Sequence, residues 1–101
     1  MRIVIKLGTS VLTNGTMRLN RQKMLEIVQQ VAHLHQQKHE LVVVSSGAQL
    51  AGRERLDYPD LDKSVPAKQM LSAVGQGHLM HIYSELFDIF SRVCSILLIC
   101  E

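Results

Sequence analysis

Three short apolar runs, each ending at small or polar residues, constrain this chain more than any other feature. The first, Ile3-Val4-Ile5-Lys6-Leu7, ends at Gly8-Thr9-Ser10. The second, Leu41-Val42-Val43-Val44, ends at Ser45-Ser46-Gly47-Ala48. The third covers residues 93–100 and ends at Cys100-Glu101. Continuous apolarity, rather than strict alternation, predicts strands covered on both faces, as in a parallel sheet. The stretches between the runs are long enough to hold helices. Parallel strands joined by helical crossovers are therefore the expected arrangement.

The intervening residues carry helix signals. Asn20 is a suitable N-cap, and Met24, Ile27, Val28, Val31, Leu34 and His35 follow at helical spacing. Lys38 and His39 suit the negative end of that helix. Residues 49–56 are expected to be helical, and residues 57–60, with Pro59, to form a loop. Ser64-Val65-Pro66 opens a further helix, with proline where its missing N–H costs little. Gly75 and Gly77 predict a break before a last helix bearing Leu79, Ile82, Tyr83, Leu86, Phe87 and Phe90. Thr13-Asn14-Gly15-Thr16 predicts a turn. The expected order is β-α-β-α-α-β.

Ligands of an open parallel sheet bind beyond the carboxyl ends of its strands. At the first end, Lys6 and the Gly8-Thr9-Ser10 loop suit a phosphate. Their spacing is not that of a P-loop. Taken alone, the spacing favours Lys6 as a strand end with its head in water and Gly8 as a plain turn. At the second end, Ser46 and the start of a helix suit a carboxylate or phosphate, but taken alone the stop is better read as Ser45 or Ser46 capping the helix. Gly75-x-Gly77 lacks the third glycine of a dinucleotide fingerprint and does not follow a strand. A nicotinamide-dependent enzyme would need that fingerprint after the first strand. His78 and His81 are expected to be solvated, and Met17, Met24, Met70 and Met80 to fill the core.

Composition narrows the class further. Of 101 residues, 47% are hydrophobic and 20% charged, which argues for a folded globular chain of one domain at most. Eleven Lys+Arg against nine Asp+Glu give a net charge of +2 with the basic residues scattered, so no nucleic-acid stripe is indicated. No apolar run approaches the ~20 residues of a membrane span. Cys94 and Cys100 would lie roughly 20 Å apart on a straight strand, too far for a disulfide. A cytoplasmic protein without membrane contact is expected.

Taken together, the strand ends resemble a known family. Val4-Ile5-Lys6-Leu7-Gly8-Thr9-Ser10-Val11-Leu12 is similar to the opening strand and loop of the glutamate 5-kinases, which belong to the amino-acid kinases. Leu19-Asn20-Arg21 fits the start of their first helix. Val42-Val43-Val44-Ser45-Ser46-Gly47-Ala48, followed by Ala51-Gly52-Arg53, resembles their second strand and substrate loop. The segment Ala67-Lys68-Gln69-Met70-Leu71-Ser72-Ala73-Val74-Gly75-Gln76 is similar to their next helix. The resemblance covers residues 1–98.

It implies an α/β fold, a three-layer αβα sandwich with a mostly parallel sheet. It also implies ATP- and Mg²⁺-dependent phosphorylation of the side-chain carboxylate of L-glutamate to L-glutamyl 5-phosphate, the first step of proline biosynthesis. Lys6 would be catalytic. Lys6, Gly8, Thr9 and Ser10 would bind ATP, and Ser46, Gly47 and Ala48 would bind glutamate. No residue is expected to hold a metal. A homo-oligomer and contact with glutamyl-phosphate reductase are further implications. The family runs well past this length, through a second lysine and a nucleotide base pocket. Residues 1–101 are therefore expected to be the N-terminal part of a single amino-acid kinase domain, with no second domain present, and inactive alone. Kinases acting on aspartate, acetylglutamate, carbamate or UMP share the Lys-x-Gly start and remain the alternative, as does an inactive fragment.

Overall fold

The computed structural model describes residues 1–60, 64–90 and 97–100. The elements in chain order are β1 (Arg2–Leu7), α1 (Thr9–Thr13), α2 (Arg21–Gln36), β2 (Glu40–Ser45), α3 (Ala48–Arg55), α4 (Val65–Phe90) and β3 (Leu97–Cys100). The strands form one sheet in the order β1-β2-β3, and both pairings are parallel. Lys6 lies opposite Val44, and Leu7 opposite Ser45, so the ends of β1 and β2 are level. Residues 93–96, including Cys94, lie outside the described residues, as do the side chains of β3.

Local chemistry explains most boundaries. The Asn20 Oδ1 accepts the Lys23 N–H at 2.9 Å and starts α2. The Ser64 Oγ accepts the Ala67 N–H at 3.2 Å at the start of α4. The Asn14-Gly15 turn is left-handed, with φ of 52° and 81°. A short α1 appears where only a loop was expected. It forms because the Gly8 carbonyl accepts the N–H groups of Val11 and Leu12 and buries Leu12.

Helices α2 and α4 cover one face of the sheet. Leu41 and Val43 are buried there with Met24, Val28, Leu79, Ile82 and Tyr83, and Ile3, Ile5 and Leu7 pack against them. The opposite face does not match the expectation of strands covered on both sides. Val4 is 60% exposed and Lys6 is exposed, while Val42 and Val44 are half-buried. Among the described residues, no helix lies over that face, so the parallel α/β architecture is present with two of its three expected layers.

The expected break at Gly75 and Gly77 is absent, because α4 runs unbroken from Val65 to Phe90. Gly75 is instead where α4 crosses α3. A Cβ there would stand 1.6 Å from the Ala48 carbonyl oxygen, and one at Gly52 would stand 2.0 Å from the Leu71 carbonyl oxygen. Two glycines thus let two backbones touch, and the packing gained outweighs the helix propensity lost, about 1 kcal/mol each. Only Met24 among the four methionines named above is in the core. Met17, Met70 and Met80 are 75%, 43% and 40% exposed.

Candidate functional site

The level ends of β1 and β2 bring the two expected loops together. The hydroxyls of Thr9 and Ser46 lie 3.0 Å apart, which ties the loop after β1 to the loop after β2. Ser46 also donates its hydroxyl to the Leu7 carbonyl at 3.2 Å, and its N–H reaches the same carbonyl at 2.9 Å. With its proton committed to Leu7, the Ser46 oxygen accepts from Thr9. One lone pair remains on this hydroxyl of the half-buried Ser46.

The two adjacent serines divide their work. Ser45 is fully buried and donates to the Ser46 carbonyl at 2.9 Å, with the Tyr83 hydroxyl 2.8 Å away. That pairing fixes the end of β2 against α4. Neither serine caps α3. The N-cap is Gly47 at φ 99°, with no side-chain hydrogen bond to the helix. A side chain at Gly47 would be strained by that φ, although its Cβ would only touch Leu12 Cδ1 at 3.4 Å. The capping reading of Ser46 therefore does not hold, which leaves its hydroxyl to the strand-end loops.

Gly8 is different. Its φ of −80° is open to any residue, and nothing lies within 4 Å of where a Cβ would stand. Neither backbone conformation nor packing among the described residues requires glycine there. Lys6 precedes it on the open face of β1 and makes no hydrogen bond or ion pair with the described residues. Alternation along the strands places Lys6 and Ser46 on the same side of the sheet. Thr9, Ser46, Gly47 and Ala48 meet at one place, and Lys6, Gly8 and Ser10 border it from β1 and α1.

Beside them is a cavity of about 390 Å³ bordered by Thr9, Gly47, Ala48, Gln49, Arg53 and Ser72. A larger cavity, about 570 Å³, lies along Gln29, His33 and Phe90 near the end of α2, away from the carboxyl ends of β1 and β2. Sequence reasoning singled out Thr9, Gly47 and Ala48 but assigned no role to Gln49, Arg53 or Ser72. Their signal is positional, since Gln49 and Arg53 share one face of α3 at i,i+4 spacing.

Glu54 also escaped the sequence reading, and it holds this corner together. Its carboxylate pairs with the Arg21 guanidinium, accepts the Leu19 N–H at 3.3 Å and lies 3.7 Å from His78 Nε2. Burial alone would raise its pKa. The hydrogen bond and charge of Arg21, the Leu19 N–H and His78 outweigh that effect and hold it below the ordinary value of 4.5. One carboxylate thus joins α3, α4 and the start of α2. Nearby, the Arg18 guanidinium stacks over the Tyr58 ring at 5.0 Å. His81 pairs with Glu85 at 2.8 Å on the exposed side of α4.

The fold and the strand-end loops together define a parallel α/β protein whose Lys6, Gly8 and Ser46 lie at the carboxyl ends of its first two strands, where ligands of open α/β sheets bind. The amino acid kinase family profile matches residues 1–99, and the chain belongs to that family. A glutamate 5-kinase from Herpetosiphon aurantiacus is 58% identical over 90 residues, covering 89% of this chain and 24% of that relative. One from Photobacterium profundum is 52% identical over 88 residues, covering 87% of this chain and 23% of the relative. One from Klebsiella pneumoniae is 51% identical over 88 residues, covering 87% and 24%. The chain spans about a quarter of the length of these curated relatives.

Proposed function

We propose that this chain supplies the phosphoryl-transfer end of an ATP-dependent kinase that phosphorylates the side-chain carboxylate of L-glutamate. The observation that carries this reading is the 3.0 Å contact between Thr9 and Ser46, which unites the Lys6 strand end with the Ser46 loop. Gly8, Thr9 and Ser10 face the ATP phosphates, and Ser46, Gly47 and Ala48 face glutamate. The similarity to proteins named glutamate 5-kinase favours glutamate over aspartate, acetylglutamate, carbamate or UMP as the acceptor.

The chemistry suits these residues. A carboxylate oxygen forms a bond to the γ-phosphorus as the bond to the bridging oxygen of ADP breaks. The nucleophile is already ionised at neutral pH, so no general base is required. The difficulty is bringing negative groups together, and the Lys6 ammonium offsets it as charge shifts toward ADP. The Thr9–Ser46 pair keeps the two loops, and so the two reactants, in line.

Mg²⁺ would supply further charge neutralisation. Among the described residues, no three His, Cys, Asp or Glu side chains gather into a metal site, so no step is assigned to a metal held by this chain. Residues 1–101 belong, on this reading, to a single amino-acid kinase domain acting in proline biosynthesis in the cytoplasm. No described helix is long and apolar enough to cross a membrane.

The test is a chimera in which this chain replaces the matching 90 residues of the Herpetosiphon relative. ADP release is followed with L-glutamate, L-aspartate, N-acetyl-L-glutamate, carbamate and UMP as acceptors. Turnover with L-glutamate alone is expected. Turnover with another of these acceptors in its place would overturn the reading.

A further inference from the structure

We propose that Arg53 is the group that recognises the second, non-reacting carboxylate of the amino-acid substrate. This inference rests on the function proposed above and names a binding residue within the same site.

Arg53 stands on the second turn of α3, half-buried, and lines the 390 Å³ cavity that Thr9, Gly47 and Ala48 also line. That volume falls within the ordinary range for small-molecule sites, about 300–1,000 Å³. Beside the apolar Met17 and Leu50, the polar part of the lining is of one electrostatic kind. Arg53 supplies a cation, Thr9 and Ser72 supply hydroxyls, and Gln49 supplies an amide, while no acidic side chain lines the cavity among the described residues. The cavity is adjoined by another of about 320 Å³ that shares Gln49 and Ser72 and adds Lys68, again without an acidic lining. The groove between α3 and α4 therefore favours an anion along its length.

A partly buried guanidinium is normally matched by a carboxylate. Here the adjacent Glu54 is already engaged with Arg21, the Leu19 N–H and His78. Arg53 makes no side-chain hydrogen bond or ion pair among the described residues. Its guanidinium thus has no acceptor among the described residues, and its fork of N–H donors suits a carboxylate held in the cavity it lines.

The chemistry decides which carboxylate. The reacting one must meet the phosphoryl group at the Lys6 strand end. The other is carried away from that point by the length of the substrate, toward the cavity wall that Arg53 forms. Recognition of this group separates an amino dicarboxylate from a monocarboxylate carrying the same reactive end.

The test compares L-glutamate with 4-aminobutyrate, which keeps the reacting carboxylate and lacks the other. In the unaltered chimera, kcat/KM should favour glutamate by at least about 100-fold, as for a site built to pair a group the analogue lacks. Arg53→Gln should cut kcat/KM for glutamate by about 30-fold or more, leave 4-aminobutyrate within about 3-fold and leave the KM for ATP within about 2-fold. Arg53→Lys should recover part of the loss. Melting temperature should not move, since the side chain has no partner to lose.

Binding is read independently in the chimera, labelled at arginine, with the Arg53 resonance assigned by its loss in Arg53→Gln. The Arg53 Nε–H resonance should shift with glutamate and not with 4-aminobutyrate. Equal loss for both acids, a raised KM for ATP, or an unmoved Arg53 resonance would each overturn the inference and leave the proposed function standing. If the chimera uses a different acid, the proposed function falls, and Arg53 is judged by that acid against its decarboxylated analogue.

Discussion

Replacing Gly75 with alanine should break the crossing of α3 and α4, whereas the same change two residues later should strengthen α4. At Gly75 the new Cβ would stand 1.6 Å from the Ala48 carbonyl oxygen and 2.6 Å from the Gly52 nitrogen, where ordinary contact begins at 3.4 Å. Both obstacles are backbone atoms, so no side chain can swing aside. The helices must separate by about 2 Å, which strips packing from Leu71 and Ala51 along their seam. Overpacking of this kind costs about 1–3 kcal/mol, and loss of the close approach adds to it. Alanine returns up to about 1 kcal/mol of helix propensity, so the net loss should be about 2 kcal/mol or more. At Gly77 nothing lies within 4 Å of the added methyl, and only the gain of about 1 kcal/mol remains. Thermal unfolding of the chimera should therefore rank Gly77→Ala at or above the parent and Gly75→Ala well below it. Gly75→Ala should also raise the KM for glutamate, because Ala48 borders the candidate site. Equal melting temperatures for the two variants would refute the close-crossing argument.

Other outcomes follow from the strand ends and the Glu54 corner. Lys6→Met should leave the melting temperature nearly unchanged and lower kcat by at least ~100-fold, the scale of one lost transition-state charge contact. Unchanged turnover would remove Lys6 from the reaction. Ser46→Ala should weaken glutamate use by roughly 1–2 kcal/mol with little change in ATP use, measured as the two KM values. Glu54→Gln should cost about 1–2 kcal/mol at neutral pH, since the Leu19 N–H and Arg21 lose a charged acceptor. Because the folded-state pKa of Glu54 lies below 4.5, its contribution is fully present above that pH and fades as pH falls below it. The stability gap between parent and variant should close over that acidic range, and a gap that instead closes on raising the pH would contradict the assignment.

The sequence made the parallel strands and their ends legible because both signals are local. A β-branched run followed by Gly8-Thr9-Ser10 or Ser45-Ser46-Gly47 can be read without knowing any partner. The cap at Asn20 and the turn at Asn14-Gly15 were legible for the same reason. What escaped depends on contacts distant in sequence. Gly75 looks like a breaker until Ala48 is seen against it. Glu54 looks like a surface charge until Arg21 and His78 converge on it. Ser46 could be taken for a cap until Gly47 is found in the left-handed region, with Thr9 holding the Ser46 hydroxyl. The open face of Val4 and Lys6 was not legible because the continuous apolar run Ile3-Val4-Ile5 reads as cover on both faces.

The most direct measurement of the central claim is trapping of the acyl phosphate with hydroxylamine. The chimera is supplied with ATP and L-glutamate, and glutamyl hydroxamate is quantified against ADP. An acyl phosphate at the side-chain carboxylate predicts hydroxamate and ADP in equal amounts, and Lys6→Met should remove both together. ADP released without hydroxamate, or hydroxamate that persists undiminished in Lys6→Met, would contradict transfer to that carboxylate at the Lys6 strand end.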